Sequence, residues 1–177
     1  DAALCHDPEL VRRGYESGVA MGGVLPSADL AERRRGPAFV VSALRDPGDG
    51  RQAGGKLQVL QLVKGWISAD GAAHYRVFDL AGDRKNGASV DDATCEPRGP
   101  GADSLCAVFR DDAFDPAQPA FYYVRVLENP SCRWNAHTCN ALPPTARPPA
   151  CTDPSVPRTI QERAWTSPIY YSPTAKP

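Results

Sequence analysis

The residues able to do acid–base or metal chemistry are few and scattered. His6, His74 and His137 stand far apart, with no HExxH or HxH spacing to seat two imidazoles on one ion. Each reads as structural or solvent-exposed. No GxSxG elbow lifts a serine into a strand-to-helix turn, so a Ser-His-Asp relay has no local signature. Gly18-x-x-x-Gly22-Gly23 lacks the Lys-Ser/Thr and the preceding strand of a phosphate cradle, and reads as a close-packed backbone turn. Asp91-Asp92 and Asp111-Asp112-x-x-Asp115 offer the hard oxygens that calcium takes, but without EF-hand spacing. Asp in turns ordinarily caps backbone N–H groups instead. No catalytic residue, no metal ligand and no cofactor is assigned to this chain.

Two polar-aromatic pairs are more informative: Arg133-Trp134 and Glu162-Arg163-x-Trp165. An Arg can stack on Trp while bridging a carboxylate, which here would lock one loop onto the final strand. A ligand-facing Arg/Trp surface is the alternative. The six cysteines, an even number, favour an oxidising compartment. Cys95 and Cys106 bracket a Pro/Gly turn and are expected to pair. Among Cys132, Cys139 and Cys151 one bridge is expected, leaving the third for Cys5 or free.

These residues need a scaffold of strands. A chain of 177 residues is one domain, or one domain with an appendage, and buries a sufficient core. Pro 18 and Gly 15 imply many turns and little long helix. A net charge of −1 gives no electrostatic reason to expect nucleic acid or an acidic membrane surface as partner. Arg dominates the basic residues, as a GC-rich genome would dictate. No apolar run approaches the ~20 residues of a membrane helix, and no signal peptide is visible. A mature secreted chain or a piece of a longer protein would both open at Asp1-Ala2-Ala3-Leu4-Cys5.

Asp7-Pro8 begins a short helix through Glu16, with Leu10, Val11 and Tyr15 on one face. Gly18 to Pro26 is an apolar glycine-rich loop, and a second helix is expected over Ser27 to Arg35. From Pro37 onward strands are expected at Phe39–Leu44, Lys56–Ile67, His74–Leu80, Ser104–Arg110 and Phe121–Leu127, with a last one within Ile160–Tyr171. In the second of these, Leu57, Val59, Val63 and Ile67 alternate on one face. Asp70-Gly71 supplies the positive φ of a hairpin turn. The fold class is therefore mainly β, an antiparallel sandwich of fibronectin III or immunoglobulin type. A helical segment (1–36) precedes the sandwich (37–177), which carries a disulfide-stapled proline-rich loop at 128–159.

The blocks GVAMGGVLP, FVVSALRDPG, LQVLQLVKGW, ADGAAHYRVFDLAG, VFRDDAFDPAQPAFYYVRVLENPSCRW and IQERAWTSPIYY, in this order, resemble the C-terminal part of a bacterial family, domain of unknown function 3604. Members are longer, and their N-terminal part resembles a PHP-type metal-dependent phosphoesterase or amidohydrolase with a GD-x-H-x-H-like motif. That motif is not in these residues, so no family metal ligand transfers to a position here. Where members read MGGDLP, this chain carries Val24 in place of the Asp.

The resemblance implies a non-catalytic C-terminal portion of a periplasmic or secreted metal-dependent hydrolase, with the N-terminal catalytic half of the same protein as partner. Met21, Gly22 and Gly23, with Arg133, Trp134, Glu162 and Arg163, are the expected domain-interface or ligand residues. The rival reading is a free-standing carbohydrate- or peptide-binding module using exposed Trp66, Trp134 or Trp165.

Overall fold

Eleven residues from Leu57 to Ile67 form the longest strand, β2, and nine of them are buried. They are buried because β2 lies in the middle of a sheet. A computed structural model describes residues 2–27, 36–49 and 53–173 of the chain. In it β1 is Ala38–Leu44, β3 Ala73–Gly82, β4 Ser89–Val90, β5 Pro97–Arg98, β6 Ser104–Arg110 and β7 Ala120–Glu128. After these come β8 (Ser131–Cys132), β9 (Thr159–Ile160), β10 (Arg163–Trp165) and β11 (Ile169–Tyr171). The main sheet runs β10-β7-β2-β3, with β11 also on β7, and every pairing in it is antiparallel. The pair β1–β6 is the second layer of the sandwich, packed on β2 and β3.

Between the layers lie Phe39 and Val41 from β1, Leu60 and Leu62 from β2, Ala120 and Tyr122 from β7, and Tyr171. Leu60 and Leu62 are fully buried, and each contributes about 1.5–3 kcal/mol through removal from water. The even-numbered side of β2 thus faces the core. Of the residues expected to alternate on one face, Leu57, Val59 and Val63 are also buried while Ile67 is exposed, so β2 is apolar on both sides and alternation alone does not choose the face between the layers. The Asp70-Gly71 hairpin forms as expected, with Gly71 at φ +84° and Ser68 N–H donating to the Ala72 carbonyl.

One buried polar cluster pins the layers. Asp111 Oδ2 takes the Lys64 ammonium at 2.5 Å and the Tyr122 hydroxyl at 2.6 Å. The helix α1 covers Leu10–Ser17 but buries nothing, and Val11 and Tyr15 remain exposed. The helix expected over Ser27–Arg35 falls, beyond Ser27, outside the described residues.

The cysteines pair differently from the expectation. Cys5 bridges Cys106, Cys95 bridges Cys132, and only Cys139–Cys151 closes within the proline-rich loop. Cys95 and Cys106 do not join, because β6 carries Cys106 against the N-terminal 3-10 turn Ala2–His6. One bridge among Cys132, Cys139 and Cys151 does form, but the third cysteine, Cys132, pairs with neither expected alternative and fastens the loop to the 91–95 turn. The loop itself is ordered by a two-residue antiparallel ladder, β8–β9, and by a helix, α2 (Trp134–Ala141). The closing stretch is three short strands rather than one, interrupted between Trp165 and Ile169, where Pro168 has no N–H to donate.

Candidate functional site

The core face of the main sheet is covered by β1 and β6; the other face carries large aromatic side chains. Residues directly opposite in an antiparallel pair share a face. The register therefore places Tyr170, Phe121, Gly65 and Tyr75 in one row, and Tyr123, Val63 and Val77 in the next. Trp165, Arg125, Gln61 and Asp79 make the third row. Tyr75 is 77%, Trp165 57% and Tyr170 48% exposed, fractions that leave about half or more of each side chain free for a partner.

The floor beneath these rings is well determined. Gly65 is glycine because the Phe121 ring lies over it: a β-carbon there would stand 2.3 Å from Phe121 Cζ. The Phe121 and Tyr123 rings stack with centroids 6.3 Å apart. Gln61, fully buried, accepts from Arg125 Nε at 2.8 Å and donates to Asp79 Oδ1 at 2.5 Å. The Arg125 guanidinium is thereby anchored to β2 through two donors on one Gln61 oxygen.

Met21, Gly22 and Gly23 border the same edge. Gly22, at φ +87°, donates its N–H to the Pro168 carbonyl, and Gly23 accepts from Tyr170 N–H. Val24 makes a parallel bridge with Tyr170, so the loop extends the sheet beyond β11. Met21 projects from it, exposed. Glu162 and Arg163 adjoin and begin β10, both exposed.

Arg133 and Trp134 lie elsewhere, at the start of α2. They line a cavity of about 310 Å³ with Asn135, Leu142, Val156 and Pro157. Trp134 is 76% exposed beside it. The anticipated lock between Arg133/Trp134 and Glu162/Arg163/Trp165 is not formed. Both Trp rings face outward, and no ion pair joins Glu162 to either Arg among the described residues. Arg158 secures the loop instead, donating to Asn140 Oδ1 and to the Asp92 carbonyl. Glu162 acts electrostatically on a neighbour. Burial, and then the charges of Glu162 and Asp46, push the Glu128 carboxyl above its ordinary range.

Among known families, the one described as Protein of unknown function (DUF3604) matches residues 1–173. The chain belongs to this family. No curated protein and no solved structure matches it.

Three of the acidic residues considered for calcium have structural partners. Asp91 Oδ1 accepts from the N–H groups of Ala93 and Thr94, and Oδ2 pairs with Arg98. Asp115 caps Ala117 N–H, and Asp111 is spent on Lys64 and Tyr122. These acidic groups cap and pair rather than gather. Ser68 Oγ lies 2.9 Å from His74 Nε2 but donates to Asp70 Oδ1 at 2.5 Å. A hydrolytic triad needs the carboxylate on the far imidazole nitrogen; here it sits on the serine, in an exposed turn.

Sequence reading missed Tyr75, Phe121 and Tyr170 as site residues. The consecutive aromatics Phe121-Tyr122-Tyr123 were the available signal, since neighbours on a strand face opposite ways and both faces must then be apolar.

Proposed function

We propose that this chain is the non-catalytic β-sandwich portion of an exported metal-dependent hydrolase, and that its aromatic sheet face packs against the catalytic half of the same protein. One observation carries the reading: the face of the main sheet away from β1 and β6 bears rows of side chains in which Tyr75 and Trp165 are mostly exposed and Tyr170 is half-exposed. Exposed apolar patches of this kind mark interaction surfaces, and aromatics together with Arg are the side chains that anchor them. The Met21–Gly23 loop extends that surface past β11. Three disulfides fit an extracellular or periplasmic setting, and no helix among the described residues is long and apolar enough to cross a membrane.

Hydroxyl-radical footprinting tests it, on this chain alone and on a longer protein containing the hydrolase half. Tyr75, Trp165 and Tyr170 should react freely in the first and be protected severalfold in the second. Equal reactivity in both, or metal-dependent phosphoester turnover by this chain alone, would sink the proposal.

A second reading, a carbohydrate- or peptide-binding module, is favoured by Trp134 standing exposed beside the α2 cavity. Quenching or a shift of Trp134 emission by oligosaccharides or apolar peptides, lost in Trp134→Ala, would support it.

A further inference from the structure

Cys132 ends β8, and α2 begins two residues later, so the first turns of the helix rise beside the Cys95–Cys132 bridge. His137 and Asn140 are three residues apart and share one face of α2. Both reach the bridge. The ligand atoms of Cys95, Cys132 and His137 all lie within 4.8 Å of one another, and Asn140 Nδ2 donates to Cys95 Sγ at 3.4 Å. Arg158 fixes that amide by donating to Asn140 Oδ1 at 2.7 Å. Cys95 is also the one non-glycine residue at positive φ, +61°, among the described residues. The Asp91 turn holds it there, with Cys95 N–H on the Asp91 carbonyl at 2.7 Å. Such backbone outliers concentrate at functional positions.

We propose that Cys95, Cys132 and His137 form a latent site for a divalent ion of the zinc class, closed as a disulfide and opened by a dithiol reductant. In the opening step a reductant thiolate attacks Cys132 Sγ, the S–S bond breaks, and Cys95 leaves as a thiolate. Its sulfur already accepts the Asn140 N–H, which stabilises the charge that develops on it. The second thiol of the reductant then closes its own disulfide and frees Cys132. Two electrons pass to the bridge, and the reductant is oxidised to a disulfide. The ion displaces the remaining thiol protons to solvent and takes two thiolates with the neutral imidazole of His137. Two thiolates cancel the dipositive charge, which suits a site where Cys132 is almost buried. Thiolate and imidazole together select zinc over calcium or magnesium, and three protein ligands leave a fourth position for water or a partner group. Cys5–Cys106 and Cys139–Cys151 are not part of any such three-ligand group among the described residues.

The test takes the whole chain, a dithiol reductant removed by gel filtration before any metal is added, and cobalt(II) or zinc(II) as probe. Alkylation mapped by mass spectrometry should find Cys95 and Cys132 opening first. One cobalt ion per chain should then bind with thiolate-to-metal charge transfer and tetrahedral d–d bands, and zinc should block alkylation of both thiols. His137→Ala, an exposed position whose fold is checked by circular dichroism, should weaken binding about tenfold or more. Unchanged affinity in His137→Ala, absence of the cobalt bands, or binding retained in Cys95→Ser/Cys132→Ser would each overturn the proposal. If Cys139–Cys151 opens alongside, the Cys139→Ala/Cys151→Ala variant decides: keeping the cobalt spectrum supports the site, losing it refutes it.

Discussion

Asp111 holds two groups on one oxygen, the Lys64 ammonium and the Tyr122 hydroxyl, in a place where neither finds water easily. Burial, followed by the hydrogen bond and charge of Asp111, pushes the Tyr122 phenol well above its ordinary range, so it stays a donor. Asp111→Ala would leave Lys64 buried without its counter-charge and should cost about 3–5 kcal/mol in urea unfolding. Tyr122→Phe removes a single hydrogen bond to a charged group and should cost about 1.5–3 kcal/mol. A larger loss for Tyr122→Phe than for Asp111→Ala would contradict this ranking. Glu128 has the opposite character. Its folded-state pKa is raised, so the folded chain holds the proton more tightly than the unfolded chain does. The group therefore lowers stability as pH rises through the ordinary carboxylate range toward the raised value, and the full cost persists above it. Glu128→Gln should stabilise the chain modestly at neutral pH, with the gain vanishing in acid. Thermal unfolding of both proteins across pH checks the sign.

Among the elements, the disulfides do different amounts of work because they close loops of different length. Cys5–Cys106 spans 101 residues and Cys139–Cys151 spans 12. Loop-closure entropy assigns about 4–5 kcal/mol to the first and about 3 kcal/mol to the second. Replacing each pair by Ala should therefore lower the denaturation midpoint more for Cys5–Cys106, and the reverse order would show that strain or residual unfolded structure dominates. The strands were largely legible: the runs at 39–44, 57–67, 74–80, 104–110 and 121–127 carry the β-branched and aromatic residues that sheets favour. The loop was not. Its ladder β8–β9 has two residues a side and no alternation to read, and its strands are separated by residues 133–158. Within 160–171 the aromatic content suggested one strand, whereas Pro168 and the turn before it divide the segment.

For the whole molecule the consequential feature is the asymmetry of the main sheet, with one face under β1 and β6 and the other bearing aromatics. Tyr75→Ser should leave the stability of the isolated chain within about 0.5 kcal/mol, as exposed substitutions do. In the longer protein the same change should loosen protection of the β3 and β10 amides in hydrogen exchange. Protection unchanged in that protein would argue that the face is not a contact surface. The candidate site was half legible. Met21–Gly23 and Glu162–Arg163 do come to one sheet edge, β10 and β11 both lying along β7. Arg133 and Trp134 go to the loop, because α2 starts there.

By itself the sequence determined the fold class, the five longest strands, the Asp70-Gly71 hairpin and the oxidised cysteines, since propensity and turn chemistry act within a few residues. Only the tertiary structure decided which face of β2 is core, because that strand is apolar on both sides and burial depends on what packs against it. It also decided the cysteine pairing, which rests on Cα atoms brought to 5.5–5.8 Å, in the case of Cys5–Cys106 across 101 residues of chain. The open aromatic face is likewise assembled by register from five strands, and no single stretch of sequence contains it.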